Sequence, residues 1–140
     1  MQNLKPILLI EDDEVDVMTV KRALRDLKVT NQLVSIGDGE EAIEYLRTES
    51  AAKPCIILLD LNMPKMDGGE FLKALKADKA LKKIPVVILT TSNSDRDVIE
   101  SFDCGAAGYM VKSVDYEKFM ETIHAIDRYW TLSKLPCNGE

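Results

Sequence analysis

The sequence predicts an α/β fold, a doubly wound parallel sheet of five strands with helices on both faces. Two patterns carry this prediction: short apolar runs recur five times along the 140-residue chain, and stretches long enough for a helix separate them. Most of the runs are continuous rather than alternating, which is typical of parallel strands that helices cover on both faces. Parallel neighbours need long crossover connections, and right-handed crossovers place helices on both faces of the sheet.

The five apolar runs are the predicted strands. In chain order they are Ile7–Ile10, Leu33–Ile36, Cys55–Leu59, Val86–Leu89 and Gly108–Val111. Between and after them, apolar residues recur at helical spacing and predict five amphipathic helices. Their apolar stripes are Val17, Val20, Leu24 and Leu27; Ala42, Ile43 and Leu46; Phe71, Leu72 and Leu75; Val98, Ile99 and Phe102; and Phe119, Ile123, Ile126 and Trp130.

Two polar segments mark where helices begin, and a short segment follows the last helix. The acids at 11–13 precede the first helix, where caps and the helix macrodipole favour them. Gly37-Asp38-Gly39 is typical of a turn that opens the second helix. We assign residues 1–132 to one domain and residues 133–140 to a C-terminal tail that is frayed.

Composition excludes several classes of protein. The chain carries 18 basic and 24 acidic residues, a net charge of −6, and its lysines are scattered, so direct nucleic-acid binding is disfavoured. The three cysteines, Cys55, Cys104 and Cys137, lie too far apart for a metal or redox motif and favour a reducing compartment. No leader or membrane span is evident. We therefore expect a cytoplasmic protein that contacts neither nucleic acid nor membrane.

Polar residues follow four of the five runs. They are Glu11, Asp12 and Asp13 after the first, Asp60 and Asn62 after the third, Thr90 after the fourth and Lys112 after the fifth. In the flavodoxin-like strand order 2-1-3-4-5, ligands bind at the carboxyl ends of the strands, and several of these ends converge.

Clustered carboxylates repel one another unless a cation neutralises them, and an all-oxygen set favours Mg²⁺. A carboxylate is also a competent nucleophile towards phosphorus. A metal ion, a lysine and a hydroxyl group suffice to stabilise phosphoryl transfer. Taken alone, the acids at 11–13 fit helix capping equally well, and Thr90 fits a turn.

Four motifs together resemble the receiver domain of two-component response regulators, the CheY-like family. They are Ile7-Leu8-Leu9-Ile10-Glu11-Asp12-Asp13, the segment from Leu58 to Gly68 (Leu-Leu-Asp-Leu-Asn-Met-Pro-Lys-Met-Asp-Gly), Ile88-Leu89-Thr90, and the segment from Gly105 to Lys112 (Gly-Ala-Ala-Gly-Tyr-Met-Val-Lys). The resemblance covers residues 5 to 132.

The resemblance implies a role for each matched residue. Asp60 would accept a phosphoryl group from a sensor histidine kinase. Mg²⁺ would be held by Glu11, Asp12, Asp60 and the main-chain carbonyl of Asn62. Thr90 and Lys112 would contact the phosphoryl oxygens, and Tyr109 would change rotamer as Thr90 moves. The implied function is a single-domain response regulator that switches a protein-binding surface and is no enzyme beyond its own phosphotransfer and autodephosphorylation.

Ser113 departs from the family pattern, which has proline after the lysine, usually with a cis peptide bond. A cis bond before serine costs ~2.5–4 kcal/mol, so we expect a trans bond, with Lys112 held by packing of Met110 and Val114. A disabled site would make the protein a phosphorylation-independent pseudo-receiver scaffold. An aspartate-nucleophile phosphatase is a weaker alternative, because Asn62 occupies the position where that class needs an acid.

The last helix is rich in aromatic residues, among them Tyr129 and Trp130, and leucines follow at Leu132 and Leu135. These side chains either pack on their own domain or form a partner surface, since aromatic residues are enriched in interfaces. The ending is similar to that of single-domain regulators that partner bacteriophytochrome-type kinases and dimerise. A phytochrome-type kinase and a homodimer are therefore further expectations, and the downstream protein is unknown.

Overall fold

Five strands alternate with five helices in the computed structural model, which describes residues 5–48, 52–63 and 66–132. The elements are β1 (Ile7–Ile10), α1 (Glu14–Asp26), β2 (Leu33–Ile36), α2 (Gly39–Arg47), β3 (Ile56–Leu59), α3 (Gly68–Lys76), β4 (Val86–Thr90), α4 (Asp95–Asp103), β5 (Gly108–Val111) and α5 (Tyr116–Leu132). The predicted strands are confirmed to within one residue, since β3 starts after Cys55 and β4 includes Thr90.

All neighbouring strands are parallel, and the sheet order is β2-β1-β3-β4-β5, as predicted. The three inner strands β1, β3 and β4 are buried throughout, whereas the edge strands β2 and β5 are only partly covered. The register pairs Ile10 with Leu59 at the ends of β1 and β3. The residues that follow these two neighbouring strands therefore lie side by side at the carboxyl end of the sheet.

The apolar core has two layers, one on each face of the sheet. Alternate strand residues point to opposite faces, so Leu8 and Ile57 join the layer beneath α2 and α3, while Ile7 and Ile56 join the layer beneath α1 and α5. The stripes predicted for α2 and α3 are buried, and Trp130 of α5 packs partly buried against the second layer. The continuous apolar character of the inner strands follows from this coverage on both faces.

The stripe predicted for α4 does not form a core face. Ile99 and Phe102 are 61% and 49% exposed, and Ser101 is the buried residue of this helix. Among the described residues, the main contacts of this helix are with α3 and the edge strand β5, and they leave Ile99 and Phe102 open to solvent. Ser101 faces inward instead, so the apolar stripe that helical spacing predicted for α4 is wrong as a core face.

Capping residues fix where the helices begin. Asp13 is the N-cap of α1 and accepts a hydrogen bond from the backbone N–H of Val15 at 2.8 Å. Asp67 and Glu70 form a reciprocal capping box at the start of α3. The capping interpretation of the acids at 11–13 is thus correct for Asp13.

At the end of α5, Tyr129 and Leu132 are exposed. The tail 133–140 with Leu135, and residues 64 and 65 of the second motif, lie outside the described residues. Within the described part of the chain, no helix combines the length and apolarity that a bilayer crossing requires.

Candidate functional site

The predicted site residues come together at one edge of the sheet. Glu11 follows β1, Asp60 follows β3, Thr90 ends β4 and Lys112 follows β5. Backbone hydrogen bonds continue beyond the strands: the Asp60 N–H donates to the Ile10 carbonyl at 3.1 Å, and the Lys112 N–H donates to the Thr90 carbonyl at 2.7 Å. Because all strands are parallel, the four carboxyl ends lie side by side.

Three carboxylates form an acidic cluster. One oxygen each from Glu11, Asp12 and Asp60 lies within 4.8 Å of the others. Glu11 and Asp60 are 4% and 7% exposed, and Asp12 is open to solvent. Burying two carboxylates side by side is costly unless positive charge compensates them. The donor set, oxygen from carboxylates alone, fits a hard divalent cation reached from the solvent side.

The ammonium group of Lys112 supplies part of that positive charge. Its Nζ lies 2.5 Å from Glu11 Oε1, 2.8 Å from Asp16 Oδ2 and 3.8 Å from Asp60 Oδ2, and its side chain is 8% exposed. The two short contacts are charge-assisted hydrogen bonds. Lys112 therefore connects the acidic cluster to α1 through Asp16, a residue that the sequence interpretation missed.

The loop after Lys112 differs in part from expectation. The structure contains no cis peptide bond among the described residues, so the Lys112–Ser113 bond is trans, as predicted. The predicted packing partner Val114 is wrong, because this side chain is fully exposed. The charged end of Lys112 is held instead by the carboxylates of Glu11 and Asp16.

Burial and charge shift the pKa values of the two central groups. Burial raises the pKa of Glu11 to about 7, and the hydrogen bond and charge of Lys112 offset only part of this effect. Burial lowers the pKa of Lys112, but its bonds to Asp16 and Glu11 and the charge of Asp60 outweigh burial and leave the pKa above its usual value. The lysine is thus charged at neutral pH, whereas Glu11 is partly protonated and partly ionised at that pH.

The loop that carries Asp60 is held closely against α3. The Asn62 N–H donates to Asp60 Oδ1 at 3.3 Å, and the Gly68 N–H donates to the Leu61 carbonyl at 3.1 Å. A Cβ atom at Gly68 would lie 2.9 Å from Leu61 Cα, so only glycine fits here without displacement. The position of Asp60 therefore depends on this close approach as well as on β3.

Thr90 and Tyr109 are linked through Ser92. Thr90 is fully buried, and its Oγ1 accepts from the Ser92 N–H at 3.4 Å, while the Tyr109 hydroxyl donates to the Ser92 carbonyl at 3.0 Å. The Ser92 hydroxyl donates to Asp97 Oδ2 of α4 at 2.6 Å. Hydrogen bonds thus lead from the sheet edge to α4. Ser92 and Asp97 were not among the predicted switch residues.

Comparison with protein families matches residues 7–124 to the response regulator receiver domain. The chain belongs to this family. Response regulator Rcp1 of Synechocystis sp. is 37% identical over 130 residues, which cover 90% of this chain and 88% of that protein. The probable methanogenesis regulatory protein FilR2 of Methanothrix harundinacea is 37% identical over 127 residues, which cover 89% and 82%.

Solved structures of receivers have the same fold. The phosphorylated cyanobacterial phytochrome response regulator RcpA superposes with a TM-score of 0.89 at 38% identity, over 96% of this chain and 99% of that one. The Mn²⁺-bound form of Rcp1 superposes with a TM-score of 0.85 at 36% identity, over 94% and 99%. The receiver fold and the response regulator function expected from the sequence are therefore confirmed, and the acidic cluster is suited to a divalent metal.

Proposed function

We propose that this receiver is a phosphorylation-controlled switch in which Asp60 accepts the phosphoryl group from a sensor histidine kinase. One observation carries the proposal: the Asp60 carboxylate is buried at the sheet edge, next to two further carboxylates and 3.8 Å from the Lys112 ammonium. A carboxylate in this setting is a nucleophile, and the Lys112 ammonium offsets part of the negative charge of its phosphorylated product. Its own phosphotransfer and autodephosphorylation are the only reactions that we assign to it.

In the proposed transfer, an Asp60 oxygen forms a bond to phosphorus while the phosphorus–nitrogen bond of the donor histidine breaks and its imidazole leaves. Glu11, Asp12, Asp60 and the main-chain carbonyl of Asn62 would hold Mg²⁺, which supplies charge stabilisation at the phosphoryl oxygens. Lys112 donates one N–H to a phosphoryl oxygen. The Thr90 hydroxyl donates a second hydrogen bond.

The same contact with Thr90 provides the switch. When its hydroxyl turns towards the phosphoryl group, Thr90 Oγ1 gives up the long bond from the Ser92 N–H. Ser92 also holds the Tyr109 hydroxyl and Asp97, so its movement repacks Tyr109 and α4 and alters the surface offered to a downstream protein. A complete shift from 1:99 to 99:1 needs ~5.5 kcal/mol of preference for the active state.

We further propose a phytochrome-type sensor kinase as the phosphoryl donor. Support comes from the likeness to RcpA, which is described as a phytochrome response regulator. A cytoplasmic location fits such a donor. Self-association through α5, where Tyr129 and Leu132 are exposed, is the accompanying proposal for a homodimer.

Intact mass spectrometry after incubation with acetyl phosphate and Mg²⁺ tests the proposal. We expect the wild type to gain one phosphoryl group, and both Asp60→Asn and a metal-free sample to gain none. The alternative is a phosphorylation-independent scaffold, which the trans bond at Ser113 and the exposed loop after it favour. An unmodified wild type would support that scaffold and reject the switch.

A further inference from the structure

We propose that Asp16 is a positioning residue that aims the Lys112 ammonium at the phosphoryl group on Asp60. The inference rests on the proposed phosphorylation of Asp60 and concerns a residue outside the acidic cluster. Asp16 lies on the first turn of α1, and its Oδ2 accepts from Lys112 Nζ at 2.8 Å. Its side chain is 35% exposed, which leaves the carboxylate open to solvent on one side.

Lys112 needs such an anchor because its own loop gives little support. The residue that follows is serine with a trans peptide bond, and the side chain of Val114 is fully exposed. The Lys112 N–H donates to the Thr90 carbonyl, a bond that places the backbone but not the end of the side chain. A lysine side chain has four rotatable bonds, so its charged end is placed by the groups that bind it.

The geometry leaves one donor of the ammonium for the reaction. Lysine carries three N–H groups, of which one donates to Glu11 and one to Asp16, which leaves the third for a phosphoryl oxygen on Asp60, whose Oδ2 lies 3.8 Å from Nζ. Glu11 is also a candidate metal ligand, so its carboxylate would bind both the Lys112 ammonium and the metal ion. Asp16 lies outside that set and can hold Lys112 throughout the reaction.

A double-mutant cycle with acetyl phosphate as the donor tests this role. In saturating Mg²⁺ we expect Asp16→Ala to lower the maximum phosphorylation rate about tenfold, with little change in the donor concentration at half-maximal rate, because orientation is lost. In a Lys112→Ala background, Asp16→Ala should have no further effect, because Asp16 acts through that lysine. Asp16→Asn, which keeps an acceptor oxygen, should recover part of the rate.

Glu14→Ala is the matched control. Glu14 is an exposed acid on the same turn of α1, so the variant removes the same charge and should retain the wild-type rate. Thermal unfolding of each variant shows that it is folded. A wild-type rate in Asp16→Ala, or an undiminished effect of Asp16→Ala in the Lys112→Ala background, would overturn the positioning role. An unreactive wild type would instead reject the phosphorylation of Asp60 on which the role rests.

Discussion

Binding of Mg²⁺ at the acidic cluster should depend on pH, because Glu11 must lose its proton before its carboxylate can serve the ion. With a pKa of about 7, Glu11 is deprotonated in about one molecule in ten at pH 6 and about nine in ten at pH 8. The apparent affinity for Mg²⁺ should therefore rise about tenfold from pH 6 to pH 8.

Isothermal titration calorimetry at pH 6, 7 and 8 measures this dependence directly. In two buffers that differ in ionisation enthalpy, binding at pH 7 should release about half a proton per ion. Glu11→Gln is the control, since its amide cannot titrate, and it should bind Mg²⁺ more weakly with an affinity that is flat between pH 6 and 8.

The raised pKa also fixes the sign of a stability effect in the metal-free protein. Protonation of Glu11 stabilises the fold fully below the ordinary pKa of 4.5, and this contribution is lost as the pH rises through about 7. Urea unfolding of the wild type, compared with Glu11→Gln, should show this loss. Equal Mg²⁺ affinities at pH 6 and pH 8, with no proton released, would refute the reasoning.

Two further predictions concern packing. Gly68→Ala should lower the free energy of unfolding by ~1–3 kcal/mol and slow phosphorylation, because the new Cβ would lie 2.9 Å from Leu61 Cα. Gly69→Ala, whose new Cβ would have its nearest neighbour at 3.5 Å, should instead stabilise the helix by ~0.5–1 kcal/mol. Equal effects of the two variants in urea unfolding would contradict the close approach. Ile123→Ala should cost ~2–5 kcal/mol because Ile123 is 1% exposed, whereas Ile99→Ala, at a side chain 61% exposed, should cost under ~1 kcal/mol. A large loss for Ile99 would show that α4 has a buried apolar face.

The strands of the sheet could be predicted because the signal for each one lies within a few consecutive residues. Continuous apolar runs such as Ile7–Ile10 require cover on both faces, and the polar residues after them then fall at one edge. Glu11, Asp60, Thr90 and Lys112 could be placed together on that basis, before any distance was known. Helix spacing was a weaker guide for α4, which packs beside the edge strand β5 and leaves Ile99 and Phe102 exposed.

Partners between distant elements could not be deduced in the same way. Lys112 and Asp16 are 96 residues apart, and nothing in the loop after β5 indicates which acid its lysine meets. A partial signal exists, since Asp16 lies on the first turn of α1, just after the acids at 11–13. The contact of Gly68 with Leu61 likewise depends on how α3 returns to the sheet, which spacing does not specify.

Mapping of the phosphorylated residue tests the central claim most directly. Borohydride reduces an aspartyl phosphate to homoserine, so peptide sequencing by mass spectrometry after treatment with acetyl phosphate and Mg²⁺ identifies the acceptor. We predict homoserine at position 60 and at no other acid. Homoserine at position 12 or elsewhere, with Asp60 intact, would contradict the assignment of Asp60 as the phosphoryl acceptor.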